Sequence, residues 1–158
     1  MTVQDTLQAV RAHEDEFIAL RRDIHQHPEL PFEELRTSDL VAARLRDWGY
    51  HVERGLGGTG VVGQLKRGDG TRTLGLRADM DALPIQETTG LQYASRNQGV
   101  MHACGHDGHT AMLLAAAKVL AEQGDFSGTL NLIFQPAEEY GTSDCGAVRM
   151  MNDGLFDK

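Results

Sequence analysis

The sequence predicts an α/β fold, and three observations carry that prediction. Strand-like runs of apolar and β-branched residues alternate with stretches of helical periodicity. Two acidic clusters, Asp79/Asp81 and Glu138/Glu139, fall just past two of those runs, where open α/β sheets place their sites. The length of 158 residues suits one domain, or a piece of a larger one.

Taken in order, residues 5–26 read as one charged amphipathic helix with Leu7, Val10, Phe17, Leu20 and Ile24 on its apolar face. It ends where His27 precedes Pro28, because a residue before proline is pushed out of the α region. A turn with Pro28 and Pro31 leads to a second helix. Thr37 or Ser38 is its candidate cap, Val41, Leu45 and Trp48 its apolar stripe, and Gly49 its stop. Tyr50 to Glu53 is a short strand. The glycine-rich bend from Gly55 to Gly60 lacks the spacing and terminal Lys of a phosphate loop, so it reads as a turn into the strand Val61–Lys66.

Gly68-Asp69-Gly70 is a hairpin signal that returns the chain into a strand over 72–78. Residues 82–101 have no period and form a long loop, a feature usually tied to function or mobility. From His109 to Gln123 the chain is rich in Ala and Leu, the pattern of a nearly fully buried helix capped by Gly124. Thr129 to Phe134 is a strong strand that runs straight into Gln135-Pro136-Ala137-Glu138-Glu139. A short helix over 144–152 precedes Gly154.

Composition excludes several classes. A hydrophobic fraction of 41% with 24% charged residues is ordinary for a soluble globular chain. A net charge of −8 argues against nucleic acid or an anionic membrane as partner and serves solubility. No secretory signal stands at Met1–Asp5, and no run approaches the roughly 18 apolar residues of a membrane span. Two cysteines are too few for a disulfide scaffold, so a reduced, cytoplasmic setting is expected, with a Cys104–Cys145 bridge the other option.

The chemistry concentrates in Met101-His102-Ala103-Cys104-Gly105-His106-Asp107-Gly108-His109, which holds three of the seven histidines and one of the two cysteines. Thiolate and imidazole are the side chains that divalent transition metals take most readily. Two apart, Cys104 and His106 point to one side of an extended segment, and Gly105 between them lets the backbone approach without a Cβ. The bland alternative is a buried Cys beside loop histidines.

Glu138 and Glu139 diverge if the backbone is extended, so one can ligate a metal while the other takes a proton from water. That is the division of labour of a metal-assisted hydrolase, in which the cation lowers a water's pKa from roughly 16 to about 7. Two solvated glutamates are the alternative. Asp79 and Asp81 share a side and can each accept the far N–H of a ligating imidazole, or serve as cap or turn residues. His25 is expected on a solvated helix face, and His13 and His51 at the surface. His27 carries little signal. His102 and His109 are open between ligand, substrate contact and helix cap.

Four segments together resemble the amidohydrolase branch of the metal-dependent aminopeptidase and aminoacylase superfamily, which includes hippurate hydrolases, N-acyl-amino-acid amidohydrolases and indoleacetic-acid–amino-acid hydrolases. They are Arg22–Leu30, Arg77–Pro84, Met101–Asp107 and Phe134–Glu139. The resemblance implies a three-layer αβα sandwich with a mixed sheet, of the zinc-exopeptidase type. It implies two divalent ions (zinc, manganese, cobalt or nickel) and cleavage of the amide of an N-acylated amino acid by a metal-activated water.

Carried over by position, Cys104, His106 and Glu139 are the metal ligands, Glu138 the general base, and Asp81 the carboxylate supporting the site from behind. Asp79 stands where more distant relatives have a histidine ligand. Residues 1–158 then correspond to the N-terminal part of the catalytic domain. The remaining ligands and a lid or dimerisation domain lie beyond Lys158, and the resemblance leaves open whether the full-length form is a homo-oligomer. On that expectation the chain alone has little hydrolase activity, and a non-catalytic metal- or ligand-binding fragment is the alternative function.

Overall fold

The computed structural model describes residues 2–141 and 143–157. The helix expected over 5–26 is two helices, α1 (Val3–Arg11) and α2 (Glu14–Gln26). A capping box starts α1: Thr2 Oγ1 accepts from the Asp5 N–H at 3.2 Å and Asp5 Oδ2 from the Thr2 N–H at 2.8 Å. The chain breaks at Ala12–His13, where Glu14, Asp15 and Glu16 open α2 and meet the positive end of its helix dipole. Sequence periodicity ran through the break because both pieces present their apolar faces to the same later helix.

The next helix, α3 (Leu35–Asp47), begins two residues before Thr37, so Thr37 and Ser38 lie inside it and cap nothing. The cap comes from further back. Glu29 accepts from the backbone N–H groups of Arg36 and Thr37, each at 2.8 Å. Val41 and Leu45 are fully buried as the stripe requires.

Strands β1 (His51–Leu56) and β2 (Gly60–Arg67) form the antiparallel hairpin, with the glycine-rich bend as its turn. The Gly68–Gly70 turn is not a hairpin turn. It leads to β3 (Thr73–Asp79), which pairs instead, in parallel, with β4 (Gly128–Gln135), while β4 also pairs antiparallel with β2. The order is β1-β2-β4-β3. The most apolar strand sits centrally, with Leu130, Leu132 and Phe134 buried on one face.

Between β3 and β4 runs α4 (His106–Gln123), starting three residues earlier than its apolar run suggests. It packs on β3 and β4, and α2 and α3 lie beside it. Its Leu113, Leu114 and Ala117 meet Leu130, Leu132 and Phe134 in one core. α3 seats on β2 at Gly63, where a Cβ would come within 2.8 Å of Leu45 Cδ1. The result is an α/β fold with a mixed sheet. The short α5 (Gly146–Asn152) follows the loop after β4. No helix among the described residues is long and apolar enough to cross a membrane.

Candidate metal centre

The parallel register of β3 and β4 sets Asp79 opposite Gln135, so the two acidic segments leave the sheet side by side. The Met80 N–H reaches Gln135 O at 3.0 Å and holds them together one step further. Beyond that the Glu139 N–H donates to Asp81 Oδ2 at 2.8 Å. The other oxygen of Asp81 lies 3.2 Å from Nδ1 of His106, the first residue of α4. With Nδ1 so engaged, Nε2 of His106 faces Glu138 Oε2 and Glu139 Oε1, each at 3.8 Å, and Asp79 Oδ1 at 3.6 Å.

Cys104 completes a cluster there: its sulfur, a His106 ring nitrogen and a Glu139 carboxylate oxygen lie within 4.8 Å of one another. Sulfur, imidazole nitrogen and carboxylate oxygen are donors that borderline divalent ions accept, so the residues fit such an ion. A second group, Asp79, His106 and His109, meets the same limit. In it His109 Nδ1 stands 2.6 Å from Asp79 Oδ1, Arg77 pairs with the other Asp79 oxygen at 3.1 Å, and the rings of His106 and His109 stack at 5.4 Å.

Cys104 and His106 meet by a route other than the expected one. The segment is not extended, because Gly105 turns it at φ 87° and α4 begins at once. No atom lies within 4 Å of where a Gly105 Cβ would stand, so glycine is needed there for its left-handed backbone and not for close approach. Ala137 makes a similar turn at φ 47°, just before Glu138 and Glu139, whose carboxylates face His106 at the start of α4. It is held by Glu34, which is wholly buried at the start of α3 and accepts from the Ala137 N–H at 2.8 Å and from the Thr59 hydroxyl.

Burial and hydrogen bonding compete across the site. Burial pushes Asp81 up, but hydrogen bonds from His106 and from the backbone of Glu139 and Glu138 outweigh it and hold the carboxyl below its ordinary value. Burial pushes His106 down, and its bond to Asp81 with the charges of Asp79 and Asp81 carries it above its usual value. The Cys104 thiol, hydrogen-bonded to Glu139 and beside further carboxylates, is pushed up to about 11. His102, buried, is pushed down to about 4, and neither of its ring nitrogens has a partner among the described residues.

The main correction concerns His25. It is 5% exposed, not solvated: its Nδ1 lies 2.9 Å from Asp107 Oδ2 and its Nε2 3.3 Å from Glu87 Oε1. Arg21, one helical turn earlier, donates from Nε to the same Asp107 oxygen at 3.0 Å. The i,i+4 spacing of Arg21 and His25 was the available signal, since it puts both on one face. Nothing in the sequence marked Glu34 or Glu87 as interior. His13 lies near the surface beside Glu122, His51 is exposed, and both cysteines are free.

The chain is 58% identical over 143 residues to the hippurate hydrolase of Campylobacter jejuni, covering 90% of this chain and 36% of that protein. An aminohydrolase from methicillin-resistant Staphylococcus aureus superposes with a TM-score of 0.92 at 43% identity, over 99% of this chain and 40% of that one. A dinuclear metal-binding peptidase from Bacillus subtilis superposes at 0.84 and 39% identity, over 93% of this chain and 41% of that one. The chain thus spans well under half the length of each. Residues 75–158, from mid-β3 through both acidic clusters, match the model of peptidase family M20/M25/M40, and the chain belongs to that family.

Proposed function

We propose that the chain is the N-terminal part of the catalytic domain of a metal-dependent amidohydrolase that cleaves N-acylated amino acids at a C–N bond outside the peptide main chain. The observation that carries the reading is the convergence of Cys104, His106 and Glu139 beside an exposed Glu138, with Asp81 buried behind. The hippurate hydrolase and the dinuclear relative support the substrate class and a pair of ions. Ions held there would polarise the acyl carbonyl and lower the pKa of a water, whichever of zinc, manganese, cobalt or nickel they are.

The chain's own residues divide the rest. Cys104, His106 and Glu139 hold the ions. Asp81 accepts from His106 Nδ1–H, fixing the tautomer that leaves the Nε2 lone pair toward the other donors. Glu138 takes a proton from the attacking water and delivers it to the leaving amine as the C–O bond forms and the C–N bond breaks. The products are a carboxylic acid and a free amino acid. The substrate is a small molecule, neither nucleic acid nor membrane takes part, and the setting is cytoplasmic.

The test pairs elemental analysis with an amidase assay on benzoylglycine, for this chain and for a longer form that carries it. We expect transition metal in both and turnover in the longer form. Glu138→Ala there is expected to remove nearly all kcat while keeping the metal. Metal without turnover in either form favours a binding module, and turnover that survives Glu138→Ala removes the base assignment.

A further inference from the structure

The Arg22–Leu30 segment and its neighbour Arg21 have no part in the proposed chemistry, yet His25 and Arg21 both meet the buried carboxylate of Asp107. We infer that Arg21 and His25 are positioning residues for the ion-binding loop, acting through Asp107. The inference rests on the reading that Cys104 and His106 hold an ion.

Asp107 follows the ligand His106 directly and lies in the first turn of α4, where the helix dipole favours a carboxylate. It is fully buried and belongs to neither donor cluster. Its Oδ2 faces backward to two donors on one face of α2, Arg21 Nε at 3.0 Å and His25 Nδ1 at 2.9 Å. His25 extends the chain to Glu87 in the 82–101 loop, which is itself fixed by the Ser95 N–H at 2.6 Å and by the Thr89 hydroxyl. The His25 ring also meets Tyr93 edge-on at 5.6 Å.

One imidazole therefore joins three segments: α2, the first turn of α4 and the long loop. The joint bears on the site because Gly105 is a left-handed pivot between Cys104 and His106. Asp81 fixes the His106 ring but not the turn that carries it. Asp107 ties that turn to α2, as His109 and the Thr110 hydroxyl tie it to Asp79. Without the Asp107 tie that turn is held from the sheet side alone, by His109 and Thr110 on Asp79, and loses the contact with α2 that sets thiol and imidazole in a common direction.

Cobalt(II) titration of the 158-residue chain tests this, reading the thiolate-to-cobalt charge-transfer band and the Kd, with circular dichroism to verify folding. We expect His25→Leu and Asp107→Leu to weaken cobalt binding roughly 10- to 100-fold and to shift the band, as supporting partners of metal ligands do. His25→Asn, whose amide N–H can replace Nδ1–H, is expected to recover most of the affinity. A purely structural pair would lower Tm and leave the Kd and band of the folded protein unchanged. That outcome for His25→Leu overturns the inference.

Should His25→Leu not fold, the half-exposed Arg21→Ala carries the test. A weakening of roughly 10-fold supports the inference and an unchanged Kd overturns it. A wild-type chain with no charge-transfer band overturns the metal reading itself, and the inference with it.

Discussion

The back and the front of the candidate centre are built to opposite standards. Behind it, Asp81 and Asp107 are buried: Asp81 accepts from His106 and from the Glu139 N–H, and Asp107 Oδ2 meets Arg21 and His25 on α2, while its Oδ1 has no partner among the described residues. In front, Cys104 is exposed and Glu138 keeps 41% of its side-chain surface. The contrast teaches that orientation of the donors is fixed by folding from behind, while the thiol and carboxylate on the outer face stay open to solvent. Buried carboxylates acting on His106 and α4 can be held rigidly because water does not compete for their partners.

The sharpest way to break the contrast is to remove one group from each side. Asp81→Ala strips a buried acceptor from both His106 and the Glu139 backbone. We expect it to lower unfolding free energy by about 2–3 kcal/mol, as loss of hydrogen bonds to a buried charge does, and to weaken cobalt binding as well. Cys104→Ser, on the open side, should change stability by no more than about 0.5 kcal/mol and abolish the charge-transfer band. Urea unfolding of the two variants decides it. Equal destabilisation would mean that the front is as much a part of the folded framework as the back.

Legibility in the sequence followed the same divide. The strand ends, the acidic clusters and the Cys104-x-His106 pair stood out because chemistry-bearing residue types were grouped at short spacing. The supports did not. Asp107 lies 82 residues from His25 in the chain, and Glu34 lies 103 from Ala137, so only tertiary packing brings them together.

Polarity misled too. His25 looked solvated because its neighbours Arg22, Asp23 and Gln26 are polar, whereas the side of α2 that carries Arg21 and His25 abuts Asp107. Strand order failed for a related reason. A glycine turn after β2 signals reversal, but it cannot tell that a later and more apolar strand will take the place beside β2. The break at Ala12–His13 escaped because two helices docked on α4 share one apolar period.

Glu34 refines the comparison with the smallest effect, because it supports the acidic loop from the back at an electrostatic cost. Burial raises its pKa, and the hydrogen bonds from Thr59 and the Ala137 N–H offset this only in part. The sign follows from proton counts. With the folded value above the ordinary 4.5, the folded state binds more protons between the two values. Stability is then fully present below the ordinary value and falls as pH rises through the folded one. Glu34→Gln keeps the shape and an oxygen for the Ala137 N–H while removing the charge. The variant should therefore be more stable than wild type at pH 7, by at most about 1 kcal/mol, and its stability should be flatter against pH above the ordinary carboxylate value. Urea midpoints taken across that range measure both. A variant that loses stability at pH 7 would show that the charge of Glu34 strengthens its hold on Ala137 by more than its burial costs, placing this support among the strongly stabilising ones beside Asp81.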